Sequence, residues 1–235
     1  MGQSYSEVVK RLQAYRRAQS KTQKEMSADM GVTQSHYAKL ESGTNVISYD
    51  CLRTFESNGG DVYFLITGQR TEPGPLDSYV DQCRTKRGRL QMYRMILWSV
   101  GVGLSYGQSE EIKLPESVYK NLNLAQMELD LPENIWKSIR RLDHITQFQM
   151  ADILGINIKR YIRLEKEVIR PDAEILCRLY SRLFYNPLLV MDASCYPLKE
   201  CNDAWTAFPG ELKRELAALL NLAQELICGS ENPVK

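Results

Sequence analysis

The chain has 235 residues, of which 43% are hydrophobic and 25% charged, ordinary globular values that exclude a disordered or fibrous protein. Lys and Arg total 30 against 29 Asp and Glu, so the net charge of +1 lacks the basic excess of a nonspecific nucleic-acid binder. Six scattered cysteines without a CxxC pair, and two histidines, argue against a metal site or a disulfide framework and predict reduced thiols in a cytoplasmic protein.

In chain order, the N-terminus lacks the apolar stretch of a secretory signal. Val8, Val9, Leu12 and Tyr15 are spaced for one face of a first helix. Thr22 is placed to cap a second helix from Gln23 to Met30, which Gly31 ends, because glycine adopts the left-handed backbone without steric cost. Thr33 or its neighbour caps a third helix with Tyr37 and Leu40 facing inward. Ser42-Gly43 terminates it. Ser48 opens a fourth helix carrying Cys51, Leu52 and Phe55. Asn58-Gly59-Gly60 turns the chain, and Asp61 caps a short helix with Phe64 and Leu65.

Gln69 to Pro75 reads as a polar hinge. Leu76 to Val100 then reads as one helix, bearing the cations Arg84, Lys86, Arg87, Arg89 and Arg94, with Gly101, Gly103 and Gly107 breaking it. Its apolar run, Met95 to Leu104, is too short for a bilayer span of about 20 residues. Leu114-Pro115-Glu116 starts a short helix, and Leu131-Pro132-Glu133 repeats that signal. After a second helical region, Pro209 opens a terminal helix whose Leu212, Leu216, Leu219, Leu220, Ala223 and Ile227 form an apolar stripe. That stripe covers a core or pairs with another subunit. Cys195 and Cys201 are a possible redox pair or two unlinked thiols.

Self-comparison finds a repeat. TQKEMSADMGVTQSHYAKLE (Thr22–Glu41) aligns without a gap to TQFQMADILGINIKRYIRLE (Thr146–Glu165) at an offset of 124. The register extends back to Arg16/Arg140 and Arg17/Arg141, and forward to Leu52/Leu176 and Leu65/Leu189. The expected architecture is all-α. It has two five-helix modules, residues 5–68 and 132–192, joined by a hinge and helical connector at 69–131 and followed by a C-terminal segment with an amphipathic helix at 193–235. Residues 8–68 and 132–192 each carry a net +2, the connector is balanced, and residues 193–235 carry −2.

In each module two helices flank a tight glycine turn, which is a helix-turn-helix. Gln23, Ala28, Gly31-Val32 and Glu41, and again Gln147, Ala151, Gly155-Ile156 and Glu165, resemble the lambda-repressor-like, or xenobiotic-response-element (XRE), DNA-binding domain. The resemblance covers about half of the chain, and implies a cytoplasmic regulator that binds double-stranded DNA. It also implies that Arg16 with Glu41, and Arg140 with Glu165, form internal ion pairs, although either arginine also suits direct phosphate contact. Gln23 and Gln147, at helix starts, become phosphate contacts or simple caps.

Base reading falls to the third helix of the motif. The outward sets are Thr33, Gln34, Ser35, Ala38 and Lys39, and Asn157, Ile158, Lys159, Ile162 and Arg163 with Arg160 beside them. Gln suits adenine, Lys and Arg suit guanine, and Ile suits a thymine methyl. The expected function is a sequence-specific regulator that represses by occupying an operator, as a homodimer or an intramolecular pseudo-dimer. The alternative is that the second module serves as a protein-interaction or dimerisation surface, as in an antitoxin. A third possibility places an effector at Tyr93, Trp98 and Tyr106. No Walker loop, GxGxxG, HExxH or GxSxG motif is present, so neither an enzyme nor a cofactor is expected.

Overall fold

The computed structural model describes residues 4–70, 72–106, 112–130, 134–191 and 198–230. Among these there are α-helices and one π-helical turn, and no strand. The chain divides into two compact units, one from the described parts of 1–71 and 133–192 and the other from those of 72–132 and 193–235. Gly107, Leu131-Pro132-Glu133 and Cys195 lie outside the described residues.

The first unit begins with α1 (Tyr5–Ala18), α2 (Gln23–Asp29), α3 (Gln34–Glu41), α4 (Tyr49–Ser57) and α5 (Val62–Thr67). Val8 and Leu12 are fully buried, and Tyr15 sets its ring edge against Phe55 at 4.9 Å between centroids. Helix starts are marked by side chains that satisfy otherwise unpaired backbone N–H groups. Thr22 and Glu25 form a reciprocal capping box, while Ser48 and Asp61 accept from the backbone of Cys51 and Phe64. The side chain of Arg11 crosses to the end of α5, donating to the carbonyls of Leu65 and Ile66 at 2.8 Å each.

After α6 (Asp77–Asp81), α7 (Lys86–Tyr106) and α8 (Glu116–Asp130), which belong to the second unit, the first unit resumes. It continues with α9 (Ile135–Leu142), α10 (Gln147–Leu154), α11 (Ile158–Glu165), α12 (Ala173–Arg178), the π-helical turn Leu179–Leu183 and α13 (Pro187–Met191). Thr146 and Gln149 form a second capping box, and Asp172 caps α12 through Ile175.

The 124-residue offset also holds in the backbone. Left-handed φ values recur at Ser20 and His144 (both 54°), Gly31 and Gly155 (65° and 62°), and Gly43 and Glu167 (75° and 56°). So do turn hydrogen bonds: Lys21 to Arg16 matches Ile145 to Arg140, and Val32 to Ser27 matches Ile156 to Ala151. Two of these positions hold different residue types, so the backbone path recurs even where the residues differ.

The two segments pack directly against each other within this unit. α1 and α5 lie against α12, and α5 also meets α13. The hydroxyl of Tyr5 donates to the carbonyl of Asn45 and accepts from the N–H of Ile47; burial pushes its pKa up to about 12, so it stays protonated. The Ile47 carbonyl in turn accepts from the N–H of Ala173 at 3.0 Å, and the Tyr49 hydroxyl donates to the carbonyl of Met191. A two-fold relation would pair α9 with α4 as α1 pairs with α12. Among the described residues α9 and α4 make no comparable contact, so the packing is asymmetric.

The second unit differs from the expected single helix over Leu76–Val100. The chain breaks at 82–85, and α7 then runs through Gly101 and Gly103 to Tyr106. Thr85 Oγ1 accepts from the N–H of Gly88 at 2.9 Å and starts the new helix. Gly103 serves packing rather than termination: a Cβ there would come within 2.6 Å of the Phe208 ring and 3.1 Å of Leu216. The helix after Pro115 is not short, since α8 runs for 15 residues. α14 (Lys199–Ala207) and α15 (Gly210–Ser230) complete the unit, with α15 packed along α7. Leu216, Leu220 and Ala223 of the expected stripe are buried, but Leu219 joins Leu222 and Leu226 in a separate exposed row. Tyr93 is core, whereas Trp98 and Tyr106 stand exposed beside a shallow groove shared with Gln126 of α8. Cys201 is buried, and burial pushes its thiol far up. No described helix is long and apolar enough to cross a membrane.

Candidate nucleic-acid interface

In the first helix-turn-helix, Met26, Met30, Tyr37 and Leu40 form the apolar contact between α2 and α3. Gly31 makes the turn. Below that contact lies a charged cluster centred on Glu41, whose side chain is only 4% exposed. Arg16 from α1 donates through Nε at 2.7 Å and Nη2 at 3.2 Å, Gln23 from α2 through Nε2 at 2.7 Å, and the Tyr37 hydroxyl at 3.3 Å. Arg16 Nη1 also donates to the carbonyl of Lys21 at 2.9 Å. One carboxylate thus ties three helices together. Burial alone would push the Glu41 carboxyl up, but the hydrogen bonds from Arg16 and Gln23 outweigh it and hold the pKa below the ordinary 4.5.

The second segment repeats the cluster. Arg140 donates through Nε to Glu165 at 3.0 Å and through Nη1 to the carbonyl of Ile145 at 3.3 Å. Gln147 donates its amide to Glu165, and the Tyr161 hydroxyl lies 3.5 Å from the same carboxylate. The four residues read as ion pairs therefore stand as two pairs. The glutamines read as phosphate contacts are also turned onto the glutamates. The tyrosines were missed as members. Their spacing to the glutamate, four residues on one helix, was the available signal.

The predicted base readers sit on the outer side of α3 and α11. Gln34, Ser35 and Lys39 are exposed and Ala38 is half-buried. Thr33 caps α3, accepting from the N–H of His36 at 3.2 Å, and Asn157 caps α11 through Arg160 at 2.8 Å. Lys159 and Arg163 are exposed, and Ile158 and Ile162 are half-buried. Arg160 is held by Asp172 at 2.6 Å. Several cations near the first motif have intramolecular partners: Lys21 with Asp29 at 2.6 Å, Lys10 with Glu7 at 2.9 Å, and Arg11 as above. Arg17, Lys24 and Lys39 are exposed. Among the described residues, no group of His, Cys, Asp and Glu is arranged to hold a metal ion.

The turns differ in one respect. The Arg178 guanidinium donates to the carbonyls of Leu154 and Gly155 at 2.7 and 3.0 Å, closing the end of α10. A Cβ on Gly155 would fall 1.9 Å from Arg178 Nη1, whereas at Gly31 the nearest atom is a Thr54 methyl at 3.2 Å. Gly155→Ala is therefore expected to cost about 1–3 kcal/mol, from the left-handed backbone plus the displaced guanidinium. Gly31→Ala, with backbone strain and a milder contact, should cost about 1–2 kcal/mol. Urea unfolding checks the order, and a larger loss at Gly31 would contradict it.

Residues 12–52 match the HTH_3 family model, described as a helix-turn-helix. The match runs from within α1 into α4 and takes in the whole first motif. No curated protein and no solved structure matches the chain. The chain therefore carries an XRE-type helix-turn-helix domain at its N-terminal end. Such a domain implies a DNA-binding transcriptional regulator. Residues 132–192 rest on the internal repeat and its geometry.

Proposed function

We propose that this chain is a sequence-specific transcriptional repressor that reads an operator with α3 and α11 together, as an intramolecular pseudo-dimer. The observation that carries the reading is the in-register recurrence of the glutamate cluster, the capping box and three left-handed positions behind both helices. A motif rebuilt to that level presents a second recognition helix to the major groove. Both modules share one compact unit, which supports two reading heads per chain. Their asymmetric packing and different outward residues favour an asymmetric operator. Gln23 and Gln147 keep a part in this reading. An amide nitrogen carries two hydrogens, so one can hold the glutamate while the other donates to a phosphate.

Selection of bound duplexes from a random pool tests the reading. The expected product is a non-palindromic site bound by one chain, with the logarithm of affinity falling linearly in the logarithm of salt concentration. A palindromic site bound by two chains would overturn the pseudo-dimer and leave the first motif as the reader.

One observation favours a second reading, in which the second segment docks a protein. Phe148 is 73% exposed at the position where the first motif has Lys24, and Ile158 and Ile162 lie along the adjacent helix. Phe148→Lys in the full chain separates the two. Unchanged or tighter DNA binding fits a DNA face, and loss of a protein complex with DNA binding intact fits a docking face.

A further inference from the structure

We propose that Cys83 and Cys228 form a peroxide-responsive thiol pair that closes into an intrachain disulfide. They lie 145 residues apart in sequence, yet their sulfurs stand 3.9 Å from each other within the second unit. Both sulfurs address the same short stretch of backbone. Cys83 Sγ lies 3.4 Å from the Tyr79 carbonyl, and Cys228 Sγ lies 3.9 Å from the Gln82 carbonyl. One turn before Cys228 on α15, Gln224 Nε2 also reaches the Tyr79 carbonyl, at 3.5 Å. The last turns of α15 are thus already laid against the end of α6, and no domain movement is needed to bring the thiols together.

The remaining gap is small. A disulfide needs sulfurs about 2.05 Å apart, reached by side-chain rotation and a slight shift of a helix end. Cys228 stands near the end of α15, where Gly229 has open space around its Cα, and Cys83 lies in the break between α6 and α7 rather than inside a helix. The accessibilities are complementary, Cys228 being partly exposed and Cys83 fully buried. Among the described cysteines Cys51, Cys83, Cys177 and Cys201 are buried, which leaves Cys228 as the thiol that peroxide reaches first.

The chemistry balances with hydrogen peroxide as oxidant. Cys228 sulfur attacks one peroxide oxygen, the O–O bond breaks, and water leaves behind a sulfenic acid. Cys83 sulfur then attacks the sulfenic sulfur, the S–O bond breaks, and a second water departs with the thiol proton. Two thiols and one peroxide become one disulfide and two waters. The product fastens the end of α15 to the α6–α7 corner.

The test treats the full-length protein with hydrogen peroxide, alkylates remaining thiols and maps linked peptides by mass spectrometry. The expected result is a Cys83–Cys228 peptide in the monomer, with two fewer titratable thiols and reversal by dithiothreitol. C228S, a change at a partly exposed position, should abolish the link without disturbing the fold, and C201S should leave the link intact. Oxidation should also slow hydrogen exchange in the last turn of α15 in the native chain but not in C228S. A Cys228–Cys228 dimer, a link to Cys195, or over-oxidised Cys228 beside an intact Cys83 thiol would each overturn the proposal.

Discussion

Glu41→Ala is expected to lower the stability of the first unit by about 2–4 kcal/mol, measured by urea unfolding followed by circular dichroism. Removing one partner of a buried ion pair leaves the other charge desolvated and unmatched, and that penalty exceeds the net worth of the pair. Here the change strands the Arg16 guanidinium, the Gln23 amide and the Tyr37 hydroxyl at once. The expected loss sits below the full range for deep burial because Arg16 keeps 15% exposure. The pH dependence has a definite sign. The folded-state pKa of Glu41 is depressed below 4.5, so its contribution is complete above that pH and is lost as pH falls through the lower folded value. Glu41→Gln should flatten this acid limb. A Glu41→Ala protein as stable as the parent, or an acid limb unchanged in Glu41→Gln, would show that the cluster does not hold the three helices.

Lys39→Ala is expected to weaken binding to the selected operator by about 1–3 kcal/mol, roughly 5- to 150-fold, if Lys39 reaches a base edge. Its side chain is exposed on the outward side of α3, so the fold should be unaffected. Arg163→Ala is the corresponding change on α11, and a similar loss there is the signature of two reading helices. Phosphate contact and base contact separate in the same experiment. A phosphate contact weakens all sequences alike and reduces the salt slope by about 1, whereas a base contact relaxes discrimination at one position. A double variant that binds its operator as the parent does, at matched salt, would remove both residues from the reading surface.

Much of the local structure was legible because it is written in neighbouring residues. Thr22, Ser48 and Asp61 each cap the helix that follows them, a contact spanning three residues. The misreadings came where a local signal met a distant partner. Gly101 and Gly103 looked like helix breakers, yet Gly103 lets α7 approach Phe208, more than a hundred residues away. Other contacts were simply not announced locally: Gln23 and Gln147 open helices, and each also donates an amide hydrogen to a glutamate 18 residues downstream. Leu219 reads in sequence as part of one stripe with Leu216 and Leu220, and only the packing of α15 on α7 separates it onto the outer row.

The sequence by itself determined the helical class, the capped helix starts of the first motif and the repeat at 124 residues, all of which depend on short-range chemistry or on comparing the chain with itself, while the resemblance to a known domain implied both arginine–glutamate pairs. The tertiary structure decided that α1 and α5 lie against α12 without two-fold symmetry, that Tyr37 and Tyr161 join the glutamate clusters, and that Cys83 meets Cys228. It also showed how the net charge of +1 is spent. Lys21, Arg16 and Arg160 are paired with carboxylates, leaving Lys39 and Arg163 among the cations exposed on the recognition helices. The meeting of Cys83 with Cys228 and the packing of α1 and α5 on α12 join residues far apart in sequence, and no local pattern records them, because burial and distance are set only once the whole chain has packed.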